Sequence, residues 1–236
     1  MSERHLIIGP CRSGTTMLLR CAKNHPGAVV EFQTIKAGQR RTGTPDYTFY
    51  DRPVPAGKFL VNKETVGYGT HEDCTLKVFP NDEAICKTRP VFIFREPRDT
   101  FVSWIENNLV PKGSTDLFIQ AYRHTFALLL HARSISSNIS VVTYEALCGN
   151  AEKSQLRTIC DKWEITFHPD MIDWKDNFID TTPLDKEGIE AGHYAALSRD
   201  SAIRAQAEKS TLSEAHSREI ISALDSLYQQ IRALSL

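Results

Sequence analysis

The chain has 236 residues, and 28 Lys and Arg against 29 Asp and Glu leave a formal net charge of −1. That length supports one sizeable core, so a single domain over 1–236 is expected. The near-neutral balance gives no bulk field toward nucleic acid or an anionic membrane, so an anion site here has to be local.

Taken in chain order, the apolar, β-branched run at 5–9 predicts a buried strand and 15–25 a helix, ended by His25–Pro26–Gly27. A second strand is expected at 28–32, and 33–57, rich in Gly, Pro, Thr and Arg, has no clear period and reads as a long loop. A strand at 58–64, a short helix over 73–87 with a break at Pro80, and the strongest strand, 90–96, come next. Helices at 98–108 and 115–136, a strand at 139–147 and a helix near 151–162 complete the readable part, and 165–210 gives no clear pattern. Thr211 and Glu214 have the spacing of a capping box for a last helix. In that helix Ile220, Leu224, Leu227, Ile231 and Leu234 form one apolar face.

Strands alternating with helices predict an α/β, three-layer fold with a mostly parallel central sheet flanked by helices. Ligands of such sheets bind beyond the carboxyl ends of the strands. Three polar stretches directly follow predicted strands: the loop after Gly9, Lys63–Glu64, and Arg95 onward.

The first of these, GPCRSGTT over 9–16, joins a strand to a helix start through two glycines. Backbone N–H groups around such a turn, continued into a helix N-terminus, form a concave anion site, with Ser13, Gly14, Thr15 and Thr16 as further contacts. A nucleoside-triphosphate loop places lysine where this chain has Thr15, and Arg12 puts a cation at the crown of the loop instead. In the third stretch, FREPRDTFVS over 94–103, Arg95 leaves a strand, Pro97 opens a helix and Ser103 lies eight residues on. Arg95 and Ser103 can converge on one phosphate. Arg98 and Asp99 read as a local ion pair.

Together these two motifs resemble the signatures of sulfotransferases that use 3′-phosphoadenosine 5′-phosphosulfate (PAPS). Residues 9–16 are similar to the family's 5′-phosphosulfate loop, with Arg12 on its basic position and Cys11 where proline is common. Residues 95–103 are similar to its 3′-phosphate motif. Weaker likeness covers 60–64 and 141–172, with Tyr144 and Glu145 in structural positions. The resemblance implies a PAPS-dependent P-loop fold releasing adenosine 3′,5′-bisphosphate (PAP). It implies Arg12, Ser13, Gly14, Thr15, Thr16, Arg95 and Ser103 as nucleotide contacts and Arg12, Glu31 and Lys63 as catalytic residues, with no metal. The histidine that phenol-type relatives use as base is absent from Lys63–Glu64–Thr65; the tyrosylprotein branch of the family instead uses a glutamate after the second strand, which the resemblance places at Glu31, with Glu64 second and His71 third. Arg199 and Arg204 are nominated for a loop that covers the nucleotide.

The acceptor, a hydroxyl or amine of a small molecule rather than a protein, is expected under 33–57. There Tyr47, Phe49 and Tyr50 make either an aromatic wall or a packed cluster, and Arg40 and Arg41 either meet an acidic acceptor or stay solvated. Two other readings stay open: a P-loop kinase using ATP and magnesium, and a nucleotide-binding module of this fold without turnover. The six cysteines include no C-x-x-C pair, which argues against a zinc site or disulfide framework. The N-terminus reads directly into a strand, and no apolar run has membrane-spanning length. A cytoplasmic protein is the expectation, with no membrane or nucleic-acid partner and with homo-oligomerisation left open.

Overall fold

Short β-branched runs build the centre of the molecule, for which a computed structural model describes residues 4–67, 69–107, 109, 115–149, 153–172 and 212–235. Strands β1 (Arg4–Pro10), β2 (Ala28–Phe32), β3 (Phe59–Val66), β4 (Val91–Phe94) and β5 (Ser140–Thr143) form one sheet. Its order is β2-β3-β1-β4-β5, and every pairing is parallel. The expected α/β architecture is thus present, with an all-parallel sheet. Both faces are covered, which is why the strands read as near-continuous apolar runs.

Alternation along the strands divides the core in two. Leu6, Ile8, Phe92, Phe94 and Val141 pack on one face against α5 (Pro97–Glu106), α6 (Asp116–Ile135) and the C-terminal helix α9 (Glu214–Leu234). Ile7, Val91, Ile93 and Val142 pack on the other against α1 (Thr15–Lys23) and α8 (Ser154–Trp163). Fully burying one such aliphatic side chain stabilises by about 2 kcal/mol, so an Ile8→Asp change would remove that gain and bury an unpaired charge.

The strand order places the site. From β1 the chain moves to one side, through α1 to β2, and from β4 it moves to the other side, through α5 and α6 to β5. The adjacent strands β1 and β4 therefore flank the switch point, where the connections diverge and leave a crevice.

Four expectations are corrected. Residues 33–57 are not one loop, because α2 (Thr34–Thr42) is a helix ended by Gly43 at φ 78°. Its own N-cap residue, Gln33, makes no side-chain cap. Glu64 on β3 caps it from across the fold, accepting from the N–H groups of Ile35 (2.8 Å) and Lys36 (3.3 Å). The segment around Pro80 forms two helices, α3 (His71–Cys74) and α4 (Asp82–Thr88), capped by Thr70 and Asn81. The strand expected to run to 147 stops at Thr143, and α7 (Tyr144–Gly149) follows at once. Helix α9 starts at Glu214 under a Ser213 cap, two residues later than a cap at Thr211 requires, and Thr211 itself lies outside the described residues. Its predicted apolar face holds: Ile220, Leu224 and Ile231 are fully buried, and Leu227 and Leu234 pack against the same core. No helix among the described residues is long and apolar enough to cross a membrane.

Candidate active site

The loop after β1 is shaped by close packing. Gly9 sits in the sheet so tightly that a Cβ there would lie 2.3 Å from the Ile93 carbonyl oxygen. The Ser13 N–H then closes a turn onto the Pro10 carbonyl at 3.1 Å. Arg12 takes a left-handed backbone conformation, φ 70°, which costs an ordinary L-residue about 1–2 kcal/mol and needs the surrounding contacts to hold it. Gly14 follows at φ 102°, and any side chain there would strike the Tyr144 ring.

Helix α1 begins at this loop with no side-chain cap and no acidic residue in its first turn. Its leading N–H groups and the positive end of its dipole thus face the loop's concavity. Ser13 is fully buried, and its Oγ has no hydrogen-bond partner among the described residues. A buried hydroxyl of this kind is costly to leave unpaired. An orphaned donor beside an uncapped helix start suits the oxygens of a phosphate or sulfated phosphate. Thr15 is also buried, and Thr16 is partly open.

Helix α5 grips the loop with two consecutive residues. Arg12 Nε donates to Ser103 Oγ at 3.0 Å, and Trp104 Nε1 donates to the Cys11 carbonyl at 2.7 Å. Trp104 went unnoticed in the sequence; its signal was its place directly after Ser103. Arg95 follows β4 and is buried, with its guanidinium 4.5 Å from the centroid of the Tyr144 ring and 3.6 Å from Asp99 Oδ2. Asp99 therefore faces Arg95, and Arg98 Nη2 reaches Ser217 Oγ on α9 at a long 3.5 Å. Tyr144 and Glu145 stand in structural positions, one under Arg95 and the other accepting from the Glu96 N–H at 2.9 Å.

Lys63 is buried on β3 with its ammonium 3.7 Å from the centroid of the Phe32 ring. Burial pushes its pKa down to about 7, against the opposing influence of Cys11 and Glu64. The three candidate bases are placed differently. Glu31 is buried at the end of β2, where its carboxylate already accepts from Arg52 and from the Thr34 hydroxyl. Glu64 spends its oxygens on α2 and on Asn62 Nδ2 (2.9 Å), and burial pushes its pKa up to about 7. His71 is exposed at the start of α3. Both buried carboxylates thus already accept hydrogen bonds from neighbouring groups in this arrangement.

Of the two readings of Tyr47, Phe49 and Tyr50, the packed cluster is the one present. Phe49 is fully buried, and the hydroxyls of Tyr50 and Tyr47 donate to the carbonyls of Val78 (3.0 Å) and Lys77 (2.8 Å). Arg40 pairs with Asp73 at 2.6 Å, and Arg41 lies 3.9 Å from Asp46. Arg199 and Arg204 lie outside the described residues. No cluster of metal-binding side chains occurs among the described residues.

No protein-family model and no curated protein matches the chain. Solved structures do. The sulfotransferase domain of the Synechococcus PCC 7002 olefin synthase aligns over 95% of this chain and 94% of its own, at 15% identity and a TM-score of 0.54. Retinol dehydratase in complex with androsterone and the inactive cofactor PAP aligns over 95% of this chain and 80% of its own, at 14% identity and the same TM-score, 0.54. A mouse sulfotransferase complexed with PAP aligns over 72% of this chain at 15% identity and a TM-score of 0.48, and this chain covers only 61% of its length. With the parallel sheet, the loop after β1 and the arginine after β4 already in place, the first two likenesses establish that this chain has the fold of the PAPS-dependent sulfotransferases.

Proposed function

We propose that the protein is a PAPS-dependent sulfotransferase. The observation that carries the reading is the meeting of its two anion motifs. Arg12, after β1, and Ser103, in the helix after β4, touch at the switch point of the sheet, with Arg95 at the end of β4. One ligand with two phosphate-type groups can engage both. PAP in the complex of retinol dehydratase is such a ligand.

PAPS supplies an activated sulfuryl group, which passes to an acceptor hydroxyl or amine while PAP leaves. The chain's contribution is binding and charge stabilisation. The N–H groups of α1 and the hydroxyls of Ser13, Thr15 and Thr16 hold the 5′ end. Arg12 faces the oxygen on which charge builds as the bond to sulfur breaks, and a donor so placed lowers the barrier by about 3 kcal/mol. Lys63 is a second cation for the same charge. Arg95 and Ser103 hold the 3′-phosphate, the group that separates PAPS from ATP. Retinol dehydratase binds retinol or androsterone together with PAP, which agrees with a small-molecule acceptor.

A second reading, nucleotide binding without turnover, is favoured by the engagement of Glu31 and Glu64 in structural contacts. Calorimetry with PAP, and with ATP plus magnesium, followed by labelled PAPS with pooled acceptors, separates the cases. Tight PAP binding with label transfer supports the enzyme. PAP binding without transfer supports the module. Preference for ATP with magnesium overturns both.

A further inference from the structure

The peptide unit between Arg95 and Glu96 is held at both of its polar atoms. Its carbonyl, that of Arg95, accepts from the Tyr122 hydroxyl at 2.7 Å. Its N–H, that of Glu96, donates to Glu145 Oε1 at 2.9 Å. The other oxygen of the same carboxylate, Glu145 Oε2, accepts from the Tyr228 hydroxyl at 2.8 Å. Tyr122 lies on α6, Glu145 on α7 and Tyr228 on α9, so three helices converge on one peptide bond.

This peptide lies just beyond β4, which ends at Phe94, and just before α5, which Glu96 caps through the Asp99 N–H at 2.8 Å. A peptide is planar, so holding its two polar atoms fixes the plane and limits the torsions on either side. The direction in which the Arg95 side chain leaves the strand is thereby set. Its guanidinium then lies over Tyr144 and beside Asp99. Both tyrosines are buried. Burial raises both hydroxyls well above the usual phenol range, and Glu145 adds to the effect, so both remain protonated donors.

We propose that Tyr122, and Tyr228 acting through Glu145, are positioning residues for Arg95. The C-terminal helix α9 is then part of the machinery that recognises the 3′-phosphate. The proposal rests on the assignment of Arg95 to that phosphate.

The test compares adenosine 3′,5′-bisphosphate with adenosine 5′-phosphate by calorimetry on the full chain. The variants are Tyr228→Phe, Glu145→Gln and Tyr122→Phe, each also combined with Arg95→Ala, with melting temperatures alongside. Loss of one such hydrogen bond should weaken the bisphosphate about three- to tenfold and leave the 5′-phosphate within about twofold. On the Arg95→Ala background the same substitutions should leave the ratio of the two affinities unchanged. Tyr228→Phe and Glu145→Gln act at the outer end of the clamp and keep the test readable if Tyr122→Phe does not fold. An unchanged ratio in the folded variants overturns the clamp and leaves the nucleotide assignment standing. Equal weakening of both ligands in step with a lower melting temperature overturns it too, since that marks a purely structural bond. A wild-type chain with no preference for the bisphosphate removes the assignment of Arg95, and the clamp with it.

Discussion

Arg12 and Ser103 lie 91 residues apart in sequence and are joined by a 3.0 Å hydrogen bond from the guanidinium to the hydroxyl. The bond holds the crown of the β1 loop against the helix that follows β4. Arg12→Ala should lower kcat about a hundredfold, the usual loss for an oriented donor facing developing charge. Ser103→Ala should raise the KM for PAPS and lower kcat only severalfold, because Arg12 loses a support but keeps its charge. Steady-state kinetics at matched melting temperatures check both. Equal kcat losses for the two variants would contradict the division of roles.

Arg95 is expected to read the 3′-phosphate. Arg95→Ala should weaken PAP about 10- to 100-fold, as for a lost hydrogen bond to a charged group, and adenosine 5′-phosphate by less than about threefold. Calorimetry with the two nucleotides decides it. Equal losses would remove Arg95 from the 3′ site.

Lys63 and Glu64 predict an unusual stability profile. The folded state pushes Glu64 from 4.5 up to about 7 and Lys63 from 10.5 down to about 7, in both cases mainly by burial. Between about 4.5 and 7 the folded chain keeps a proton on Glu64 that the unfolded chain has lost, so stability falls as pH rises. Between about 7 and 10.5 the unfolded chain keeps a proton on Lys63 that the folded chain has lost, so stability rises with pH. The contribution of this pair therefore has its minimum near neutrality. Denaturant melts across pH should show the dip in wild type and a flatter curve in Glu64→Gln/Lys63→Met. An unchanged curve in the double variant would exclude the pair as its source.

At or below neutral pH the buried ammonium of Lys63 has the Phe32 ring as its near neighbour, an interaction worth about 0.5–2 kcal/mol, while its desolvation costs more. Lys63→Met should keep the packing, hold or raise the melting temperature at pH 6.5, and lower kcat at least tenfold. Scanning calorimetry with a turnover assay measures both. A strong fall in stability with kcat intact would show that Lys63 is a structural residue.

Glu31 and Arg52 form a strap between the end of β2 and the segment after the Thr48–Tyr50 turn. Glu31→Gln and Arg52→Ala should each destabilise by about 1.5–3 kcal/mol, typical of a hydrogen-bonded charge. Turnover of the folded variants should stay within about threefold. A large kcat loss in Glu31→Gln alone, at unchanged stability, would restore Glu31 as the general base.

The parts legible in the sequence are those written in local pattern. Strands β1 to β4 announce themselves as short β-branched runs, α1 as the segment after β1, and α5 and α6 as the segments after β4. Helix α2 was hidden for a physical reason. Of TIKAGQRRT, Ile35 alone supplies a fully buried aliphatic chain, and the cap arrives from Glu64, 29 residues away. The resemblance nominates Glu31, Glu64 and His71 as bases, which does not reveal that Arg52 and the N–H groups of α2 take oxygens of the two carboxylates.

By itself the amino-acid sequence determined the alternation of strands and helices, the glycine turn at 9–16 and the presence of two separate candidate anion motifs. Each depends on residues within a few positions of one another, whose backbone preferences and periodicity are local. Only the tertiary structure decided that β1 lies beside β4, that Arg12 meets Ser103, and that Tyr122, and Tyr228 through Glu145, hold the peptide after Arg95. Those contacts join residues tens of positions apart, so packing of the helices on the two faces of the sheet selects them, and no local pattern encodes them.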